Sequence, residues 1–119
     1  MSINFSEENA QAFQSILYKC WSIDSSSKWT LDNPANGQCS VTALIVNDLF
    51  GGEILKTKLQ EGWHFYNRID KINFDFTQSQ FAKEPIYLDI LSNREEAFSD
   101  TNQNQYKYLK NKISKYINK

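Results

Sequence analysis

The stretch Asn36-Gly37-Gln38-Cys39-Ser40-Val41-Thr42-Ala43-Leu44-Ile45-Val46-Asn47-Asp48-Leu49-Phe50-Gly51-Gly52 decides how this chain is read. From Cys39 onward, Val41, Ala43, Leu44, Ile45, Val46, Leu49 and Phe50 form a helix that is apolar over most of its circumference. Such a helix belongs inside a protein, so this one is expected at the centre of the domain. Gly51-Gly52 ends it by supplying the left-handed backbone that helix C-termini favour. Gly37 lets the chain turn sharply into its first turn.

Upstream of this helix, Ser6 is placed to cap an N-terminal helix, with Glu7 and Glu8 in its first turn where negative charge suits the helix dipole. Phe13, Ile16, Leu17, Cys20 and Trp21 give that helix one apolar face, from about residue 7 to about residue 21. Residues 22–38 read as a long loop, broken by Ser25-Ser26-Ser27, Asn33-Pro34 and Asn36-Gly37. Loops of that length are uncommon in compact domains and are often functional.

Downstream, Glu53–Thr57 is a short candidate strand and Trp63–Ile69 an aromatic-rich one. Ile72-Asn73-Phe74-Asp75-Phe76 alternates cleanly, which assigns Ile72, Phe74 and Phe76 to the core. Ile86–Ile90 is a further candidate strand. Tyr106, Leu109, Ile113, Tyr116 and Ile117 mark a closing amphipathic helix from about residue 102 to about residue 117. Consecutive antiparallel strands with helices segregated from them describe an α+β fold. With 119 residues, the chain is expected to form a single domain over 1–119.

Thirteen basic residues oppose fourteen acidic ones, for a net charge of −1. That balance gives no general attraction to nucleic acid or to acidic lipid. Lys107, Lys110, Lys112, Lys115 and Lys119 are read as a solvated helix face. No apolar run approaches the ~18 residues needed to span a membrane. The first residues lack the basic and apolar blocks of a signal peptide, so a cytoplasmic location is expected. The two cysteines, Cys20 and Cys39, are too few for a disulfide scaffold and are expected to be free.

Cys39 opens the buried helix. A thiol there feels unpaired N–H groups and the positive end of the helix dipole, both of which favour the thiolate. The same N–H groups can stabilise a developing oxyanion. His64 is the only histidine, so any imidazole chemistry must use it. A two-residue hairpin loop, either Asp70-Lys71 or Ile69-Asp70, puts His64 and Asp75 on one face of the sheet, diagonal or directly opposite. Cys39 then takes the place of a nucleophile, His64 of a general base and later acid, and Asp75 of the group that orients the imidazole. Gln38 is a candidate oxyanion donor through its backbone or side-chain N–H groups. Trp21, Trp29, Trp63 and Tyr66 are candidates to line a ligand cleft, and Asn67 joins Trp29, Trp63 and Tyr66 as a candidate substrate contact.

The stretch Asn33-Pro34-Ala35-Asn36-Gly37-Gln38-Cys39-Ser40-Val41-Thr42-Ala43-Leu44 resembles the YunG family of small bacterial proteins. So do Gly51-Gly52-Glu53-Ile54, Trp63-His64-Phe65-Tyr66-Asn67-Arg68-Ile69-Asp70 and Asp75-Phe76-Thr77-Gln78-Ser79-Gln80-Phe81. That resemblance implies a fold and no substrate. More distantly, His64-Phe65-Tyr66-Asn67 followed by Asp75-Phe76-Thr77 is similar to the histidine and aspartate segments of transglutaminase-like and other papain-like domains. Tyr66 stands where those domains usually carry Trp. The similarity implies a papain-like core, in which the helix that starts at the cysteine packs on a small antiparallel sheet, with the N- and C-terminal helices added. It also implies a Cys39–His64–Asp75 triad.

Two function classes follow. The first is a cysteine-dependent hydrolase or acyl-group transferase acting on an amide, thioester or isopeptide of a small molecule or protein, with no cofactor. The second is a non-catalytic binding or regulatory protein whose Cys39 region merely packs. A metal site of Cys39, His64 and Asp75 is a third arrangement, though a structural zinc would want a fourth ligand. Neither nucleic acid nor membrane is expected as a partner.

Overall fold

A computed structural model of the chain describes residues 6–117, so Lys119 of the basic face and the ends of the 1–119 span lie outside the described residues. Helix α1 (Glu7–Cys20) begins where Ser6 Oγ accepts the Asn9 backbone N–H at 3.2 Å. Ala10, Phe13, Leu17 and Cys20 are its buried face. The following segment, to Gln38, is a chain of hydrogen-bonded turns, among them Ser25 N–H to Ser22 O, Trp29 N–H to Ser26 O and Gln38 N–H to Ala35 O. Ser25, Ser26 and Ala35 are buried within it, so this long loop is packed rather than open.

Helix α2 (Cys39–Phe50) is central, as its composition requires: every residue from Cys39 to Val46 is buried. Gly51, at φ 73°, closes it by donating its N–H to Asn47 O at 3.0 Å. Strands β1 (Glu53–Leu59), β2 (Gly62–Ile69), β3 (Ile72–Phe74) and β4 (Ile90–Leu91) form an antiparallel sheet in the order β3-β2-β1-β4. A short helix α3 (Arg94–Phe98), capped by the Asn93 side chain, precedes helix α4 (Gln103–Ile117), which buries Leu109 and Ile113. Together these described elements are an α+β fold.

Of the two hairpin loops the sequence allowed, Asp70-Lys71 is the one formed. Both residues have positive φ, 51° and 70°, as a type I′ turn needs. Ile69 therefore faces Ile72 and Asn67 faces Phe74. Three sequence expectations are corrected here. Strand β3 stops at Phe74, so Asp75 lies just beyond it. Ile72 is 54% exposed, because a three-residue edge strand reaches the core only at its inner end, where Phe74 is half-buried and Phe76 buried. The expected strand Ile86–Ile90 shrinks to β4, because the Thr57 hydroxyl, and not a strand ladder, holds residues 86–88. It donates to Ile86 O at 2.7 Å and accepts the Leu88 N–H at 3.0 Å.

The sheet has two different faces. Helix α2 covers one, where Phe65 packs with Cys39, Ala43, Leu44 and Ile54, and Asn67 Nδ2 donates to Ala43 O at 3.0 Å. Thr57, His64 and Tyr66 lie on the other, Thr57 directly across from His64. All three are buried, although none belongs to an apolar cluster. The segment around Asp75 and the strap 86–89 cover them with polar partners. No helix among the described residues is long and apolar enough to cross a membrane.

Candidate active site

The site starts from Gly37. Its φ is +75°, and a Cβ there would stand 2.4 Å from Ser26 Oγ and 2.8 Å from Lys28 Cβ. Only glycine makes this turn without displacing the loop. The turn delivers Cys39 to the first position of α2, where backbone N–H groups have no intrahelical acceptor. The helical ladder begins only at Thr42 N–H to Gln38 O, 3.0 Å.

His64 sits on β2 beyond the reach of β3, which pairs only with Asn67–Ile69. Its Nε2 lies 2.7 Å from Asp75 Oδ2, and the side chains of both residues are almost wholly buried. In the neutral imidazole Nε2 carries the proton and donates it to the carboxylate, which leaves Nδ1 as the nitrogen for Cys39. Phe81 packs edge-on against the ring at 4.8 Å between centroids. Burial is the largest influence on His64 and disfavours the imidazolium. The Asp75 hydrogen bond, the Cys39 thiol and the charges of both outweigh it and push the pKa up to about 9.

Asp75 is saturated. Its Oδ2 accepts from His64 and from Tyr87 OH, the latter at 2.7 Å. Its Oδ1 accepts the Thr77 N–H at 3.1 Å and the Thr77 hydroxyl at 3.2 Å. Gln80 extends this array back to the cysteine loop. Its Nε2 donates to Thr77 Oγ1 at 3.1 Å, and its Oε1 accepts the Gly37 N–H at 3.3 Å.

Cys39 and His64 share a cleft of about 340 Å³, walled by Trp63, Phe81, Gln80, Asn36, Lys28, Glu61 and Asp100 among others. Trp63 is 42% exposed, and the ammonium groups of Lys56 and Lys58 approach its ring to 4.3 and 4.9 Å. Cys20 lies elsewhere, buried in the α1 core, where burial pushes its thiol pKa up.

The remaining candidates take other places. Gln38 is wholly buried; its N–H is held by Ala35 O and its Nε2 points 3.5 Å toward Ser22 O. Trp21 is buried and bonds Thr42 through Nε1 at 3.0 Å. Trp29 packs half-buried against the α1 core. Tyr66 and Asn67 are buried and engaged, with Asp89 and Ala43 O respectively, so neither lines the Cys39 cleft. Among the described residues, no group of three or more His, Cys, Asp or Glu side chains could hold a metal ion.

Sequence reasoning missed Thr77, Gln80 and Tyr87. The spacing Asp75-Phe76-Thr77 carried a legible signal, since an Asp commonly accepts the N–H two residues on. Tyr87 reaches Asp75 across the fold, and nothing local announces it.

A helix-start cysteine and a buried strand histidine on one cleft, the histidine backed by a saturated carboxylate, define the class: an α+β protein with a candidate cysteine site. The chain belongs to the YunG family, whose model, described as YunG protein, matches residues 9–118. It is 52% identical over 103 residues to the uncharacterized protein YunG of Bacillus subtilis (strain 168), covering 87% of this chain and 90% of that one. No solved structure matches it.

Proposed function

We propose that this chain is a cysteine-dependent hydrolase or acyl-group transferase acting on an amide, thioester or isopeptide. The observation that carries the reading is the buried His64–Asp75 pair, 2.7 Å apart, whose histidine lines the same cleft as Cys39 at the start of α2. The order of helix-start cysteine, strand histidine and following aspartate is also that of papain-like and transglutaminase-like domains, which supports a papain-like core.

His64 Nδ1 takes the thiol proton, and the sulfur attacks the acyl carbon. The carbonyl oxygen becomes an oxyanion facing the free N–H groups of the first turn of α2. Collapse expels the amine or thiol, which leaves with the proton held by His64, and an acyl-thioester remains on Cys39. Water, or an acceptor amine or thiol, then attacks that thioester as His64 removes its proton. The acid or transferred acyl product departs, and the proton returns to sulfur. Asp75 holds the imidazole in one tautomer throughout.

A binding protein remains the second reading, favoured by one observation. The exposed Trp63 ring beside Lys56 and Lys58 offers a surface that holds a ligand without chemistry. Electrophilic acyl probes separate the two. Mass spectrometry of the labelled chain is expected to find the acyl group on Cys39 and none on the Cys39→Ala variant. Absence of labelling on wild-type Cys39 would favour the binding reading.

A further inference from the structure

Asp75 Oδ2 has two donors at the same 2.7 Å distance, His64 Nε2 and the Tyr87 hydroxyl. With both Thr77 donors on Oδ1, the four acceptor directions of the carboxylate are filled. The carboxylate can neither rotate nor offer His64 its undivided charge.

Tyr87 is held for this contact from both sides. Thr57 bonds the residues flanking it, Ile86 and Leu88. Two residues on, Asp89 is fixed in the left-handed region at φ 56°. There Tyr66 OH accepts the Asp89 N–H and donates to Asp89 Oδ1, each at 2.7 Å, and Asn73 Nδ2 donates to the same oxygen at 2.9 Å. The Tyr66 ring also meets the Tyr87 ring edge-on at 5.0 Å. Three residues of the sheet's polar face, Thr57, His64 and Tyr66, are thus linked through one strap and one carboxylate. Burial, followed by the bond to Asp75, raises the pKa of Tyr87, so its hydroxyl stays protonated and remains a donor.

We propose that Tyr87 is a positioning residue for the Cys39–His64 site, acting through Asp75: it fixes the carboxylate and limits how strongly that carboxylate holds the imidazolium. The proposal rests on the cysteine-enzyme reading. A base that must release its proton in each turnover works best with a pKa near the working pH. A carboxylate whose charge is shared with a phenol stabilises the imidazolium less than one serving His64 alone.

The test is the titration of His64 in the full-length chain, followed by NMR of its imidazole protons, which are unambiguous because the chain has one histidine. Tyr87→Phe is expected to raise the midpoint by roughly half a pH unit or more. It is also expected to change the pH profile of Cys39 alkylation while the fold is kept. Leu88→Ala, on the same strap but with its side chain exposed, should leave the midpoint in place. An unchanged or lower midpoint in folded Tyr87→Phe overturns the proposal. If that variant does not fold, Thr57→Val carries the same expectation and the same overturning result, since it frees the strap without altering any other ligand of Asp75. The imidazole titration needs no acylation of Cys39. A failure of acyl labelling on wild-type Cys39 is therefore read separately from a failure of Tyr87 to move His64.

Discussion

His64 Nε2 and Asp75 Oδ2 lie 2.7 Å apart with both side chains almost wholly buried, and His64 points to the opposite side of β2 from Phe65 and Asn67. The pairing register explains how. With Asp70-Lys71 as the turn, His64 and Asp75 are diagonal, and the chain leaves β3 at Phe74 so that Asp75 can bend toward the imidazole.

Asp75→Asn tests this pair. An amide in place of the carboxylate keeps the shape but points an N–H₂ group at donors, which costs about 1–3 kcal/mol when buried. A lower melting temperature with a native circular dichroism spectrum is expected. The His64 midpoint should fall from about 9 toward its ordinary value. Cys39 alkylation should slow by roughly tenfold or more. Unaltered midpoint and reactivity would make Asp75 a bystander.

Stability should depend on pH through the same histidine. Its folded-state pKa, about 9, lies above the ordinary 6.5, so between these values the folded chain keeps a proton that the unfolded chain has lost. The contribution is complete below pH 6.5 and disappears as pH rises through about 9. Denaturant midpoints measured from pH 6 to pH 10 are expected to decline over that window in the wild type, and less steeply in Asp75→Asn.

The bridge between the two halves of the site is Gln80, which bonds Gly37 N–H on one side and Thr77 on the other. Gln80→Leu is expected to slow Cys39 alkylation with a modest loss of melting temperature. Gly37→Ala should be worse on both counts. Its positive φ alone costs about 1–3 kcal/mol for a residue with a side chain, and its Cβ meets Ser26 Oγ.

Trp63 and Tyr66 should separate by substitution. Trp63→Ala removes a cleft wall and is expected to change stability by no more than about 1 kcal/mol while lowering acyl-probe labelling of Cys39 several-fold. Tyr66→Phe removes a buried hydroxyl that bonds Asp89 twice and is expected to cost about 1–2 kcal/mol. A calorimetric melt beside a labelling assay checks both.

Helices were legible where apolar spacing is local: Phe13, Leu17 and Cys20 for α1, the run after Cys39 for α2, and Leu109 and Ile113 for α4. The Asp70-Lys71 hairpin was legible as one of two registers, because side-chain alternation limits the choices. Ile86–Ile90 misled because alternating apolar residues also describe an exposed strap, in which Ile86 and Leu88 face outward and Thr57 holds the backbone. The short helix α3 carries too little periodicity to announce itself. At the site, residue types singled out Cys39, His64 and Asp75. Thr77 was within reach of a local reading, since it bonds the Asp75 carboxylate two residues before it, whereas Gln80 and Tyr87 act through contacts with Gly37 and Asp75, distant in the chain, which no local pattern encodes.

The most direct measurement is the alkylation rate of each cysteine in the native chain across pH, read by mass spectrometry, in wild type and His64→Asn. Cys39 faces the cleft beside the imidazole, whereas Cys20 lies in the core with its thiol pKa raised by burial. Cys39 is expected to react roughly tenfold or more faster than Cys20 near neutral pH, and to lose most of that advantage in folded His64→Asn. Equal rates for the two thiols, or a Cys39 rate indifferent to His64, would contradict a cysteine nucleophile served by that histidine.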